Sequence, residues 1–599
     1  MISILPLLQT PLVSYTIILT IIWIFVQIIS RISSRNSVLN VDDRLTFAVL
    51  VFYVFLTVFS IYTDVNYFPY LHAVMLAFTL AIISCSPKMR LEHIFIVTLV
   101  VALMPVLVMT STRHPLPLGD DARFIGFAKA IAEDGRWIPF KYAENSYYQF
   151  FHLIPFLEYA LALILGFDLE NVAAYYLALK FCLYFMYLLA IYLVMKRIIR
   201  DEFSSLVAIL LLSITPPLAL TQVVHQVYAI VLYLVTVLLL LRGFESKGLA
   251  TNILAILPLL IAGVVAHATY TIMVTAFIIP FIIAPRERWI KNALNYVVRF
   301  IVLLLLTSLT YWIYTYVLDL IVRPTVNAIE RLVDLLVGHT SYSLLQETTK
   351  QGITKQHSLF QGVAKPWYTS ESSIFLISWA LVPSMVASYI PLYLIPKVRR
   401  NIRFWNGVEA LGLVGIMGTV LNYILRTLPT FGGRYFYWLY TLMIPLSTLV
   451  AKKTCRKLLS LIPSLIIISL VSFYGVQDPT LSANTYGNYI GWADRTSWEI
   501  AKGLIPYISS EARMWLDPRI GAPVSALTPP PPLGGDFSTG QVVAIISEDS
   551  VGFHAMSRDQ RNVYFFKRYF NNDPSLIFNN LDNLNIIYRC RSYYGVTKP

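Results

Sequence analysis

Charge, cysteine and glycosylation acceptors are what this chain has little of. Only 13% of its 599 residues are charged while 57% are hydrophobic, which excludes an ordinary soluble globular protein and a disordered chain alike. The four cysteines, Cys85, Cys182, Cys455 and Cys590, lie far apart, so neither a disulfide framework nor a zinc site is suggested. No N-x-[ST] sequence occurs, so the chain is not itself an N-glycosylation target. Acidic residues are the scarcer sign, 33 against 46 Lys and Arg, for a net charge of +13. The basic residues are dispersed among apolar runs and form no single face. That argues against a nucleic-acid partner and favours anionic lipid headgroups.

Long hydrophobic runs fill the space that charge leaves. Segments of about 17–24 apolar residues recur, the length a helix needs to cross a hydrocarbon core of ~30 Å. The expected spans are 12–30, 45–62, 68–84, 93–110, 172–195, 203–219, 223–241, 249–266, 268–284, 296–318, 373–394, 406–426, 434–451 and 457–474. The first run has no basic n-region and no A-x-A-like cleavage site, so it reads as a retained span. The expected fold class is an α-helical polytopic membrane protein with about 14 transmembrane helices plus interfacial helices.

Cytoplasmic loops retain Lys and Arg, and this orients the chain. Basic clusters stand at Arg31/Arg35/Arg44, Lys88/Arg90, Lys196/Arg197/Arg200, Arg242/Lys247, Arg286/Arg288/Lys291, Lys397/Arg399/Arg400/Arg403 and Lys452/Lys453/Arg456/Lys457. All of them fall on one side only if the apolar segment 151–167 does not cross the membrane. That segment is therefore read as an interfacial or re-entrant helix. Both termini, the loop 111–150, the long loop 319–372 and the tail 475–599 then lie outside the cytoplasm.

Beyond Phe473 the composition turns polar, with the proline run Pro529–Pro532. Val542-Val543-Ala544-Ile545-Ile546 and Asn585-Ile586-Ile587-Tyr588 read as strands, and Trp498–Ile505 as a helix. A small C-terminal α/β extracytoplasmic domain over 475–599 is expected.

The richest chemistry lies in the first outer loop. Gly119-Asp120-Asp121-Ala122-Arg123-Phe124 gathers charge where a span meets water, an expensive place for it. Phe124, Phe127, Ala128, Ile131 and Ala132 then follow at helical spacing, and Gly135 ends the pattern. On spacing alone, the acids equally suit the first turn of a surface helix, where they cap it and meet its dipole. Arg123, three residues after Asp120, likewise suits a local ion pair. His267, in Val265-Ala266-His267-Ala268-Thr269-Tyr270, stands at an expected outer break between spans. It suits either a packed histidine or a substrate contact. Lys141, Glu144, His152 and His225 read as ordinary polar residues of the outer side. The stretch Pro324–Val337 of the long loop reads as an amphipathic helix, with Glu330, Asp334 and Glu347 as solvated charges.

The run from Gly119 to Phe124, followed by Ala128 and then Gly135-Arg136-Trp137-Ile138-Pro139, resembles the first-loop signature of the GT-C glycosyltransferase superfamily. The likeness is to the branch of protein O-mannosyltransferases and lipid A aminoarabinose transferases. That branch has D-E-x-R-[YF], an alanine-rich helix, then G-D-W-x-x-P. His152–Gly166 matches its juxtamembrane segment. Gly432-Gly433-Arg434-Tyr435-Phe436-Tyr437, with Pro445 in the next span, is similar to its R-Y-x-x-x-x-x-P segment. The resemblance covers about residues 93–451 and is specific in the first loop but weak elsewhere. Asp121 stands where the branch usually has Glu, and three spans precede the resemblance. The oligosaccharyltransferase signature W-W-D-Y-G is absent.

The resemblance implies a GT-C-like module over 93–474 behind additional N-terminal helices over 1–92. It implies transfer of a sugar from a polyprenyl (dolichyl) phosphate donor to a hydroxyl of a glycan, lipid or protein, with inversion. An attacking hydroxyl must lose its proton, which calls for a carboxylate within hydrogen-bond reach. Asp120 is the first candidate. Asp121 would share that role, fix the sugar hydroxyls or help hold a divalent metal such as Mg or Mn. A departing lipid phosphate calls for arginine, with Arg434 the candidate beside Tyr435, and Arg426 second. Arg123 and His267 complete the expected substrate-binding set. The site is expected at the extracytoplasmic face of the plasma membrane, between loop 111–150, the span ends near His267 and Arg434, and the tail. A lipid-linked saccharide flippase or other transporter is the alternative. Transporters usually place charge near the bilayer midplane, whereas polar clusters here gather at one face. A non-catalytic assembly protein would leave the acid pair without a reaction.

Overall fold

The computed structural model describes residues 43–63, 68–85, 90–108, 119–136, 153–166, 172–199, 202–214, 225–245, 249–283, 298, 301–302, 304–309, 408–410, 495–504, 513–516, 524, 526–527, 542–547, 585–590 and 593–597. These residues are predominantly helical. The chain forms two compact units, each assembled from separate stretches. The first comprises Met1–Pro115, Lys180–Tyr314 and Leu376–Gln477, and the second Leu116–Leu179, Thr315–Phe375 and Asp478–Pro599.

The described helices of the first unit follow the apolar runs closely: α1 (Asp43–Thr63), α2 (Phe68–Cys85) and α3 (Leu91–Val108). Charge is confined to their ends, with Asp43 and Glu92 in first turns, where the helix dipole favours an acid. The segments Asp43–Tyr62, Leu91–Val108 and Ala174–Ile199 are long and apolar enough to cross a membrane. The protein is an integral membrane protein. The expected spans 12–30, 373–394, 434–451 and 457–474 lie outside the described residues.

Lipid offers little hydrophobic drive for helices to associate, so close packing and hydrogen bonds specify how they meet. α1 shows the result. Val51, Phe52, Phe55, Val58, Phe59 and Tyr62 point outward, while Tyr53, Thr57 and Ser60 are buried. The Tyr53 hydroxyl bonds His72 Nδ1 of α2 at 2.7 Å. Hydroxyls inside the helices return to their own backbone: Thr57 donates to the Tyr53 carbonyl, Thr79 to Met75 and Thr98 to Ile94, at 2.7–2.8 Å.

α6 (Val172–Ile199) begins in the second unit and continues into the first. Its Tyr192, near the C-terminal end, packs its ring at a 43° tilt, 4.6 Å between centroids, against Phe95, near the start of α3. Arg90, just before α3, and Lys196/Arg197, in the last turn of α6, therefore stand at the helix ends that these two rings bring together. Lys196 then pairs with Glu202 at 2.5 Å, which joins α6 to α7 (Glu202–Ile214).

α8 (His225–Glu245) and α9 (Leu249–Ala266) form a packed hairpin, and α10 (Ala268–Ile283) packs against both. The Tyr270 hydroxyl bonds Thr236 of α8 at 2.7 Å, and its ring covers Gly263, where a Cβ would collide with it. Thr271 bonds Ser308 at 2.9 Å.

The second unit holds α4 (Gly119–Asp134), α5 (Leu153–Leu165), the first residues of α6 and α11 (Arg495–Leu504). It also holds a four-stranded sheet in the order β1-β2-β4-β3. The strands are β1 (Arg513–Leu516), β2 (Val542–Ser547), β3 (Asn585–Cys590) and β4 (Tyr593–Thr597). β1 runs parallel to β2, and β4 is antiparallel to β2 and β3, with a register shift at Ile586/Tyr588. β2, β3 and α11 coincide with the stretches read from the sequence. β1 and β4 were not marked by it.

Candidate functional site

α4 opens where the acid pair stands and closes on Gly135, whose φ of 67° is a left-handed conformation that suits glycine. Its surroundings differ from the expectation of an amphipathic surface helix. From Asp121 to Ile131 it is buried on every side except at half-buried Arg123, whereas Ala132, expected on the apolar stripe, is exposed. The stripe model fails because this helix has no water face along most of its length. Acids on a solvated cap would be exposed, and Asp121 is 1% exposed.

The Asp121 carboxylate is held by the fold. Tyr176, near the start of α6, donates its hydroxyl to Asp121 Oδ2. The adjacent Tyr175 donates to the Glu158 backbone carbonyl of α5 at 2.6 Å. Successive residues of a helix project about 100° apart, so two neighbouring phenols reach two different helices. One pins α4 and the other α5, and these two helices pack against each other.

Glu158 is the only charged residue of Leu153–Leu165, and it is fully buried on the inward side of α5. Its carboxyl acts electrostatically on both tyrosine hydroxyls. The opposite side of α5 carries the exposed Phe156, Leu163, Ile164 and Leu165. At 13 residues, or about 20 Å, α5 is too short to cross a ~30 Å core, and it ends on Gly166 with φ 66°. Two buried carboxyl groups thus flank one phenol. Burying such groups costs several kcal/mol unless partners compensate, and this kind of expense concentrates where chemistry is done.

Lys129 is also buried, and its Nζ donates to the Leu527 carbonyl of the tail at 3.3 Å. Neither this lysine, nor Glu158, nor the Tyr175-Tyr176 pair was singled out from sequence as part of a site. A lone acid in an apolar helix was the available signal for Glu158.

The other expected residues fall as follows. Asp120 lies in the first turn of α4 beside Asp121, and Arg123 is on the same helix. His267 belongs to the first unit. It is buried at the one-residue break between α9 and α10, with its N–H on the Gly263 carbonyl at 3.1 Å and its carbonyl accepting from Tyr270 N–H at 3.0 Å. Arg426, Arg434 and Tyr435 lie outside the described residues, as do Lys141, Glu144, His152 and the long loop with Glu330, Asp334 and Glu347. Among the described residues no three His, Cys, Asp or Glu side chains are grouped to hold a metal ion. Asp120 and Asp121 are the residues that would hold a divalent ion such as Mg or Mn, and Tyr176 already engages one oxygen of Asp121.

No protein-family model matches the chain, and no curated protein matches its sequence. Among solved structures it is similar to the Archaeoglobus fulgidus oligosaccharyltransferase crystallised in complex with Zn and sulfate. The identity is 11% and the TM-score 0.45, over 84% of this chain and 73% of that one. A likeness of that strength does not establish a shared fold.

Proposed function

We propose that this protein is a GT-C-type membrane glycosyltransferase that moves a sugar from a polyprenyl-phosphate donor to an acceptor hydroxyl at the extracytoplasmic face. The observation that carries the reading is the buried Asp121 carboxylate, fixed by Tyr176 at the head of the helix whose sequence resembles the family's first loop. Preorganised groups of this kind cost no rearrangement at the moment of reaction.

In the reaction the acceptor oxygen attacks the anomeric carbon from the face opposite the phosphate. Its proton passes to Asp120, the new C–O bond forms with inversion, and the lipid phosphate departs with the bonding electron pair. Asp121, oriented by Tyr176, binds sugar hydroxyls beside that base or shares its role. Arg434, with Tyr435 next to it and Arg426 as a second cation, stabilises the departing phosphate. Arg123 orients the carboxylates and His267 contacts substrate. The acceptor is a glycan, lipid or protein.

The placement outside the cytoplasm has two supports. The positive-inside rule puts the basic clusters on the other face. The second compact unit also collects 116–179, 315–375 and 478–599, nearly the same stretches that charge assigns to the outside. The small sheet and α11 fit a tail domain on that face.

The test uses purified Asp120→Asn and Asp121→Asn proteins with a polyprenyl-phosphate sugar, following sugar release. Losing a positioned general base slows such a step by roughly 10²–10⁴-fold. Full activity in both variants would sink the assignment. Movement of intact lipid-linked sugar across the bilayer, without release, would replace it with a flippase.

A further inference from the structure

The proline run Pro529–Pro532 removes four consecutive backbone N–H groups from the tail. Val524, Ala526 and Leu527, all in helical conformation, stand just before it. In a helical turn the carbonyl of Leu527 is met by the amide of residue 530 or 531, and that of Ala526 by residue 529 or 530. All of these are prolines. The turn therefore cannot close its own final carbonyls, and a donor has to come from elsewhere.

Val524 and Ala526 are fully buried and Leu527 is half-buried, which restricts the access of water. The donor at the Leu527 carbonyl is Lys129 Nζ, at 3.3 Å. Lys129 is 4% exposed and sits on α4, about two turns beyond Asp121. A lysine buried in an otherwise apolar stretch of helix has a solvation cost of its own, which a carbonyl partner offsets. Each group answers a deficit of the other.

Resting on the glycosyltransferase reading, we infer that Lys129 is a positioning residue, one that braces the acid-bearing helix against the tail at Leu527. The ammonium stands in for the amides that the prolines lack. The tail is then part of what holds Asp120 and Asp121 in place.

The experiment compares full-length wild type, Lys129→Met and Lys129→Arg. Methionine keeps the length without a donor, and arginine restores donors. Hydrogen–deuterium exchange is read in 119–134 and 524–527, and sugar transfer is read as kcat and KM for the donor. Lys129→Met is expected to raise exchange in both segments and to lower kcat about tenfold, the order that a small misplacement costs, with KM within about twofold. Lys129→Arg is expected to restore both readouts. Wild-type exchange in Lys129→Met overturns the brace, and raised exchange with unchanged kcat overturns the positioning role. If Lys129→Met does not accumulate, adding Pro530→Ala and Pro531→Ala supplies backbone amides and should recover the fold. Failure of that triple variant overturns the inference. A wild type that transfers no sugar sinks the glycosyltransferase reading and with it the positioning role, while the exchange comparison still decides the brace.

Discussion

α4 and α5 are neighbours in sequence and in space, yet they treat their side chains in opposite ways. α4 is enclosed along nearly its whole length, with apolar residues and Lys129 alike buried. α5 turns its single acid inward and leaves Leu163 and Ile164 exposed by 64% and 78%. A contiguous apolar face of that kind is unusual in water. The contrast teaches that protein surrounds the first helix from Asp121 to Ile131, while the second meets protein on one side and leaves an apolar side exposed. The Glu158 carboxylate faces the protein, on the side where Tyr176 holds Asp121.

The largest effect should come from truncating one helix and then the other. Phe124→Ala removes a fully buried ring from α4 and should cost about 3–5 kcal/mol, read as a large drop in melting temperature. Leu163→Ala on α5 should change stability by less than about 0.5 kcal/mol in detergent. Similar losses for the two would break the contrast. Tyr176→Phe comes next. It removes a donor from a buried carboxylate, an interaction worth about 1.5–3 kcal/mol. We expect sugar transfer to slow by roughly tenfold or more, while Tyr175→Phe acts mainly on stability because its partner is a backbone carbonyl. The smallest perturbation probes the medium. With the four native cysteines replaced by alanine, Ala132→Cys on α4 should react readily with a water-soluble maleimide in liposomes. Ile164→Cys should resist until detergent is added. Equal reactivity of the two in liposomes would remove the bilayer from the account of α5.

Part of this is legible in the sequence. The acid pair marked the start of α4 and Gly135 its end, because dipole preference and left-handed backbone leave local traces. Counting basic loops led to the expectation that 151–167 does not cross, and α5 within it is a helix of 13 residues. The faces of α4 were harder. Periodicity assumes that one side of a helix meets water, and Ala132 was placed on the apolar stripe by that assumption. In a membrane protein both sides are apolar, so the pattern does not say which one meets protein. Tyr175 and Tyr176 were hidden for a related reason, since tyrosines at the start of a span read as interfacial aromatics. Lys129 and Leu527 are 398 positions apart in the chain, and no local signal joins them. The proline run Pro529–Pro532 is visible in the sequence, but nothing in it points to Lys129.

The paired phenols of α6 also set a rule about chain length. One residue inserted at the start of that helix would turn both side chains by about 100° and offer each hydroxyl to a place where its partner does not stand. Composition could drift around them without harm, but spacing could not. The first turn of α6 is in this sense a ruler, and the distance it keeps is counted in whole residues.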